Sequence, residues 1–312
     1  MGIVIVGSVA LDNLRTPFGE IKGAVGGSAF YAACAASYLS PNVRIVGVVG
    51  SDFPKKYLSL LKGRGVDLEG LEIVKGGKTF HWAGYYDSDM NSAHTTATDL
   101  NVFAGFSPRL PESYRNEPFL FLGNIDPDLQ LRVLDQIRGV RVSLVDTMNY
   151  WITSKPESLM KVIRRVNVVL LNEGEARQIC NTPFLQKAAR ELLKMGVERI
   201  IIKKGEHGCL MFTKDSYYVA PAYPLTNLKD PTGAGDTFAG GLIGYLARSR
   251  RLSETQYRQG IQVGTALASF AVEDFSLRRL AKLTLKDIAR RCGELQNFPC
   301  CPPIRFDGSR KG

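Results

Sequence analysis

Between residues 141 and 205 the chain reads RVSLVD (141–146), KPESLMKVIRR (155–165), VNVVLLN (166–172), FLQKAARELLKM (184–195) and RIIIKKG (199–205). Three apolar runs rich in β-branched residues alternate here with two helical runs. Strands that are apolar on both faces must be covered on both, which a parallel sheet flanked by helices achieves. Outward from this stretch the pattern repeats. IVIVG (3–7), VRIVGVVG (43–50) and FLFLG (119–123) read as further strands, and Ser28–Leu39, Pro54–Lys62 and Asp128–Ile137 as helices. Helices then dominate the last part of the chain, at Gly233–Arg248, Ser253–Ala271 and Thr284–Leu295. The fold class expected is α/β, a mostly parallel central sheet with helices on both faces. One domain is expected over residues 1–295, followed by a mobile tail at 296–312.

Two segments interrupt the alternation. Residues 13–25 (NLRTPFGEIKGAV) and 78–103 (KTFHWAGYYDSD, MNSAH, TTATDLNVF) predict a small antiparallel β-sheet projecting from the body as a lid. At strand spacing Phe80, Trp82 and Tyr86 share one face of it, a stripe more typical of a core or a dimer interface than of a stacking platform. An exposed apolar lid sheet would join two copies into a homodimer.

Composition limits the function classes. Of 312 residues, 45% are hydrophobic and 22% charged, which excludes wholesale disorder. No apolar run approaches the roughly 18 residues of a membrane helix. The first residues, MGIVIVGSVALD, read as a strand rather than a leader. Six cysteines at 34, 180, 209, 292, 300 and 301 form no CxxC pair, and the three histidines show no ligand spacing. A reducing, cytoplasmic setting with no membrane partner is expected. The 40 Lys+Arg against 30 Asp+Glu give a net charge of +10, with dense patches at Arg248, Arg250 and Arg251 and at Arg290 and Arg291. A solvated basic surface explains this spread better than a nucleic-acid footprint.

Chemistry concentrates in Asp230-Pro-Thr-Gly-Ala-Gly-Asp236, followed by a helix rich in small residues. Gly233, Ala234 and Gly235 can bring successive N–H groups to an anion, with the positive end of the helix behind them. A carboxylate at Asp236 would repel a phosphate, so its useful role is to accept a proton from an attacking hydroxyl. Gly77-Lys78-Thr79 mimics the end of a P-loop, but Glu72 occupies the first glycine position and a strand pattern follows. No G-x-G-x-x-G follows the first strand, which leaves a dinucleotide fold without support.

At these residues the chain resembles the ribokinase-like (PfkB) family of carbohydrate and nucleoside kinases, over roughly residues 1–295. Besides Asp230–Asp236, the resemblance rests on Gly26-Gly27, Asn172-Glu173-Gly174-Glu175 and Lys203-Lys204-Gly205-Glu206-His207-Gly208, in the family's order. It implies an ATP- and Mg²⁺-dependent phosphotransfer to a hydroxyl of a small sugar or polyol, or alternatively of a nucleoside. Asp236 is implied as general base, with the Gly233, Ala234 and Gly235 amides as anion hole. Asn172 and Glu175 are implied at the nucleotide, Glu175 holding Mg²⁺ through water, together with Lys203, Gly205, Gly208 and Thr232. Asp230 matches a position that can hold a monovalent cation such as K⁺. Asp12, Gly26 and Gly27 are implied at the acceptor, and Asn149 in DTMNYW (146–151) as a further contact, in a stretch shifted by one residue and lacking the family's arginine. Tyr31 stands where many relatives carry an asparagine; its ring could stack on a sugar or base, or close a smaller pocket. The late helix lacks the usual glycine-containing turn after it. A competing hypothesis from another class is a basic binding protein that kept the fold and lost catalysis.

Overall fold

The computed structural model describes residues 1–298. Its strands are β1 (Ile3–Val6), β2 (Ala10–Thr16), β3 (Gly19–Gly26), β4 (Val43–Gly50), β5 (Leu71–Val74), β6 (Phe80–Tyr86), β7 (Ala93–Asp99), β8 (Phe119–Leu122), β9 (Val142–Asp146), β10 (Val168–Asn172), β11 (Arg199–Lys203), β12 (Cys209–Phe212) and β13 (Tyr217–Ala220). The large sheet runs β13-β12-β11-β10-β9-β8-β1-β4-β5. Its pairings from β11 to β5 are parallel, and β12 and β13 close one edge as an antiparallel hairpin.

Side chains alternate across this sheet into two cores. Ile3, Ile5, Phe121, Leu144, Leu170 and Ile201 face one core, shared with the helices Ser28–Ser37, Ala234–Arg248 and Glu254–Ala271. Val4, Val6, Leu122, Val145, Leu171 and Ile202 face the other, with Pro127–Leu134, Pro156–Ile163 and Leu185–Leu193. This is the double covering that the apolar runs predict. The helices Ser28–Ser37 and Ala234–Arg248 touch backbone to backbone. A side chain at Gly240 would begin 2.2 Å from the Ala32 carbonyl oxygen, and one at Gly244 3.0 Å from Ala36 Cα. Cys34 is fully buried in the same core as a small apolar residue.

The second sheet has the order β3-β2-β6-β7. Two antiparallel hairpins form as expected, but β2 and β6 pair in parallel, so the lid sheet is mixed rather than antiparallel throughout. The reason is the path: between β3 and β6 the chain crosses into the large sheet, forms β4 and β5, and returns in the direction of β2. Residues 101–105 form a 3₁₀ turn instead of prolonging β7. The outer edge, β7, is exposed along its whole length and carries Ala-His-Thr-Thr-Ala-Thr-Asp. Strand β5 and the helix Glu173–Cys180 had no counterpart in the sequence reading, since LEIV is short and NEGEARQIC carries little apolar periodicity.

No described helix is long and apolar enough to cross a membrane. Arg248, Arg250 and Arg251 are exposed, as a solvated patch requires. Arg291 is not: it is 7% exposed, lies 3.4 Å over the Phe270 ring and donates to Glu273 at 2.7 Å. Of the expected tail, residues 296 and 297 complete the last helix, and 299–312 lie outside the described residues.

Candidate active site

In parallel α/β sheets, ligand sites form beyond the carboxyl ends of the strands. Here β9, β10 and β11 end on Asp146, Asn172 and Lys203. The helix Ala234–Arg248 starts against the same edge. Its N-cap, Gly233, has φ +75° in the left-handed region, and a side chain there would begin 2.4 Å from the Tyr31 ring. Only glycine satisfies both conditions. A side chain at Gly235 would begin 3.0 Å from Lys203 Nζ, so the bare backbone of this turn lets the ammonium lie against it.

Lys203 Nζ donates to Asp146 Oδ2 at 2.7 Å. Of the two adjacent lysines, Lys203 therefore faces the cleft. Burial works against its charge, but Asp146 and Glu175 outweigh burial and hold its pKa above the ordinary value. Burial lifts the Asp236 carboxyl to about 7; Asp146 adds to the rise and Lys203 opposes it. Glu175 also rises to about 7, first through burial, with Lys203 opposing and Asp146 adding. One ammonium thus neutralises three carboxylates in part. Lys203→Met strands Asp146, only 5% exposed, without its counter-ion. The expected result is a loss of about 3–5 kcal/mol in urea unfolding, with Lys203→Arg recovering part of it.

Asn172 and Glu175 close a reciprocal capping box at the helix Glu173–Cys180. Asn172 Oδ1 accepts from the Glu175 N–H at 2.8 Å, while Glu175 Oε2 accepts from the Asn172 N–H at 2.7 Å. Asn172 Nδ2 donates to Glu175 Oε1 at 2.7 Å. These bonds fix the carboxylate beside Lys203.

A second group meets this one from the lid side. Asp12, on β2, is 4% exposed. Burial lifts its carboxyl to about 8, with Asp230 and Asp236 adding repulsion. A side chain at Gly26 would begin 1.8 Å from Asp12 Oδ2, so this glycine leaves the carboxylate its place. Gly27 caps the helix Ser28–Ser37 over the Ser8 carbonyl oxygen. Asp230 accepts from the N–H groups of Thr232 at 2.9 Å and Ser276 at 3.1 Å. From the lid, Tyr86 accepts at its hydroxyl from Thr232 Oγ1 at 3.2 Å, and burial raises Tyr86 to about 12. The lid is therefore bonded to the glycine turn.

Tyr31 is 1% exposed, with its ring against Gly233. Of the roles the sequence left open, this geometry matches closure of the pocket floor and leaves no free face for stacking. Gly205 and Gly208 lie in the turn after β11. A side chain at Gly205 would begin 3.4 Å from Asn91 Oδ1 at the tip of the β6–β7 hairpin, and one at Gly208 would strike the Ala220 carbonyl at 2.0 Å. Asn149 is not brought to the cluster; it is exposed, and its carbonyl accepts from Thr153 within its own short helix. Asp146, three residues earlier, is the member of that stretch that enters the site. Its signal was available: like Asn172 and Lys203, it is the polar residue ending an apolar strand. The false P-loop at 77–79 runs straight into β6.

A family profile, pfkB family carbohydrate kinase, matches residues 10–282. The chain is 31% identical to the cytidine kinase of Thermococcus kodakarensis over 258 residues, 81% of this chain and 91% of the relative. The fold superposes on the nucleoside kinase of Methanocaldococcus jannaschii with a TM-score of 0.75 at 21% identity, covering 94% of this chain and 99% of the other. It superposes on a putative ribokinase II of E. coli, solved with ATP and Mg²⁺, with a TM-score of 0.78 at 16% identity and the same coverage. With a family match spanning most of its length and the glycine turn, strand-end carboxylates and lid in place, the chain belongs to the pfkB family of carbohydrate and nucleoside kinases.

Proposed function

We propose that this kinase transfers the terminal phosphoryl group of ATP to a hydroxyl of a nucleoside, of which cytidine is the first to test. The observation that carries the choice of a nucleoside over a free sugar or polyol is the 31% identity to a cytidine kinase across 91% of that enzyme. Asp236 accepts the proton of the acceptor hydroxyl as its oxygen bonds to phosphorus and the bond from that phosphorus to the bridging oxygen breaks, releasing ADP. The N–H groups of Gly233, Ala234 and Gly235 face the charge that develops on the transferred group. Asp12 binds acceptor hydroxyls, and the lid, pinned by Tyr86 and Thr232, excludes water. Lys203, against Gly235, supplies positive charge at the triphosphate.

The donor set suits a magnesium nucleotide: hard carboxylate oxygens at Glu175 and Asp146, one ammonium and a bare glycine turn. Such a set suits an ion held largely by water and phosphate. When bound, Mg²⁺ offsets the charge of the triphosphate. Asp230 already receives two backbone N–H groups, so we assign it to anchoring the loop ahead of Thr232 rather than to a K⁺ ion.

With ATP and Mg²⁺ saturating, so that Glu175 is already engaged, two further carboxyls raised to about 7 and about 8 must both ionise for this chemistry. The acid limb of kcat/KM for the acceptor is therefore expected to steepen toward a slope of two below pH 7, reaching its plateau only above pH 8. A limb with one ionisation near pH 4–5 would remove either Asp12 or Asp236 from its role. The acceptor itself is tested with cytidine, uridine, adenosine, inosine, ribose, fructose and inositol, using ATP and Mg²⁺. Nucleosides are expected to lead in kcat/KM by about two orders of magnitude, because a base adds binding energy that ribose lacks. A lead by ribose, fructose or inositol would establish the sugar or polyol reading instead.

A further inference from the structure

We infer that Trp82 is the residue on which the base of the acceptor stacks, and hence the one that separates nucleosides from free sugars; this rests on the nucleoside reading above. The β2–β6 pairing places Trp82 directly opposite Asp12. Partners in a parallel pair project to the same side, so Phe80, Trp82, Gly84 and Tyr86 share the face that carries Asp12. The contact of Tyr86 with Thr232 shows that this face looks onto the glycine turn.

The three aromatics on that face do different things. Phe80 stacks on Phe103 at 5.5 Å, and Phe103 on Phe106, so its ring is already engaged by other aromatics. Tyr86 is committed through its hydroxyl to Thr232. Trp82 forms no ring pair with another described aromatic residue and is only partly buried. It is nevertheless held. Nε1 donates to Thr95 Oγ1 at 3.1 Å, and a side chain at Gly84 would begin 2.6 Å from Cζ2 and Cη2. The indole thus lies over the one residue of β6 that leaves room for it, with its polar edge tied to β7. A flat apolar ring, fixed by a hydrogen bond and set beside the carboxylate that binds acceptor hydroxyls, suits a ligand with a sugar at one end and an aromatic ring at the other. Base–indole stacking is tolerant of base identity, so the acceptor class is nucleosides as a group, with pyrimidines and purines both admitted.

The chain has only Trp82 and Trp151 as tryptophans, which gives a direct readout. Trp151 donates to Asn124 outside the cluster. In Trp151→Phe, cytidine is expected to quench the remaining fluorescence by stacking on Trp82, while ribose at saturating concentration leaves it unchanged. In steady-state assays Trp82→Ala is expected to raise KM for cytidine about 10- to 100-fold with KM for ATP unchanged. Trp82→Phe should retain most of the affinity. Gly84→Val, which displaces the indole, should behave like Trp82→Ala. If the wild type phosphorylates cytidine but Trp82→Ala leaves its KM within twofold, and cytidine does not alter the Trp151→Phe spectrum, the inference is overturned and the nucleoside reading stands. If the wild type phosphorylates ribose and no nucleoside, the nucleoside reading itself fails. Should Trp82→Ala not fold, the fluorescence titration alone decides.

Discussion

Asp236→Asn lowers kcat by about 10²- to 10⁴-fold, the range for loss of a positioned general base, and leaves KM for ATP within a few-fold of wild type. The change keeps size and shape, so the turn Gly233–Gly235 and its N–H groups stay in place. It removes the proton acceptor and one of the three carboxylates that Lys203 must offset. The same substitution has an opposite effect on stability. Burial raises the Asp236 pKa from 3.8 to about 7, so the folded state disfavours the charge that the unfolded chain carries freely. Below pH 4 both states are protonated and there is no penalty. The penalty grows as pH climbs through the interval between the two values and is complete above about 7. Asp236→Asn should therefore melt several degrees above wild type at pH 8 and at the same temperature at pH 4. An enzyme that is less active, and more stable only at the higher pH, identifies a carboxylate held ready for chemistry. Retention of wild-type kcat would remove Asp236 from the reaction.

Gly233→Ala has the next largest effect, by a different route. An alanine at φ +75° costs about 1–2 kcal/mol in backbone strain. Its methyl group would also meet the Tyr31 ring at 2.4 Å, and relief of such overlap costs about 1–3 kcal/mol more. Relief must move either the ring or the turn, and the turn carries the N–H groups of Ala234 and Gly235. Activity is expected to fall about 10²- to 10³-fold, as when a donor to a developing anion is displaced. Calorimetry separates the two contributions. Adding Tyr31→Ala removes the overlap and leaves the strain, so the double variant should be more stable than the sum of the single changes allows. Full activity in Gly233→Ala would show that these amides do not face the reacting group.

What was readable beforehand follows from the range of the forces involved. Strands such as IVIV and VVLLN are buried on both faces, and that demand is written locally as unbroken β-branched runs. The glycine turn was readable too, because a left-handed residue followed by a helix of small residues needs particular residue types in sequence. Asn172 and Glu175 were reached through the family resemblance, and the same spacing encodes the capping box that the structure shows. Contacts between distant segments left no such trace. Nothing near residue 146 announces Lys203, 57 positions later, and nothing in the lid announces that Tyr86 reaches Thr232 across 146 positions. The parallel pairing of β2 with β6 was hidden for the same reason, since it depends on the route of the intervening 63 residues rather than on either strand. Arg291 was misplaced because a charged residue in a polar helix reads as solvated until the ring of Phe270 is found beneath it.

The near-contact of the helices Ser28–Ser37 and Ala234–Arg248, with Gly240 and Gly244 set against Ala32 and Ala36, bears on how such an enzyme can change over generations. The helix Ala234–Arg248 cannot accept a methyl group at Gly240 without moving away from Ala32, and has little room for one at Gly244, so substitution there is tightly constrained. The lid hangs outside this frame, and its outer strand is exposed along its whole length. Variation can therefore accumulate on the outer strand and at Trp82 more freely than at Tyr86, whose hydroxyl is tied to Thr232 in the turn. One transfer apparatus can persist through many acceptors, because the part that selects and the part that reacts are inherited under different mutational constraint.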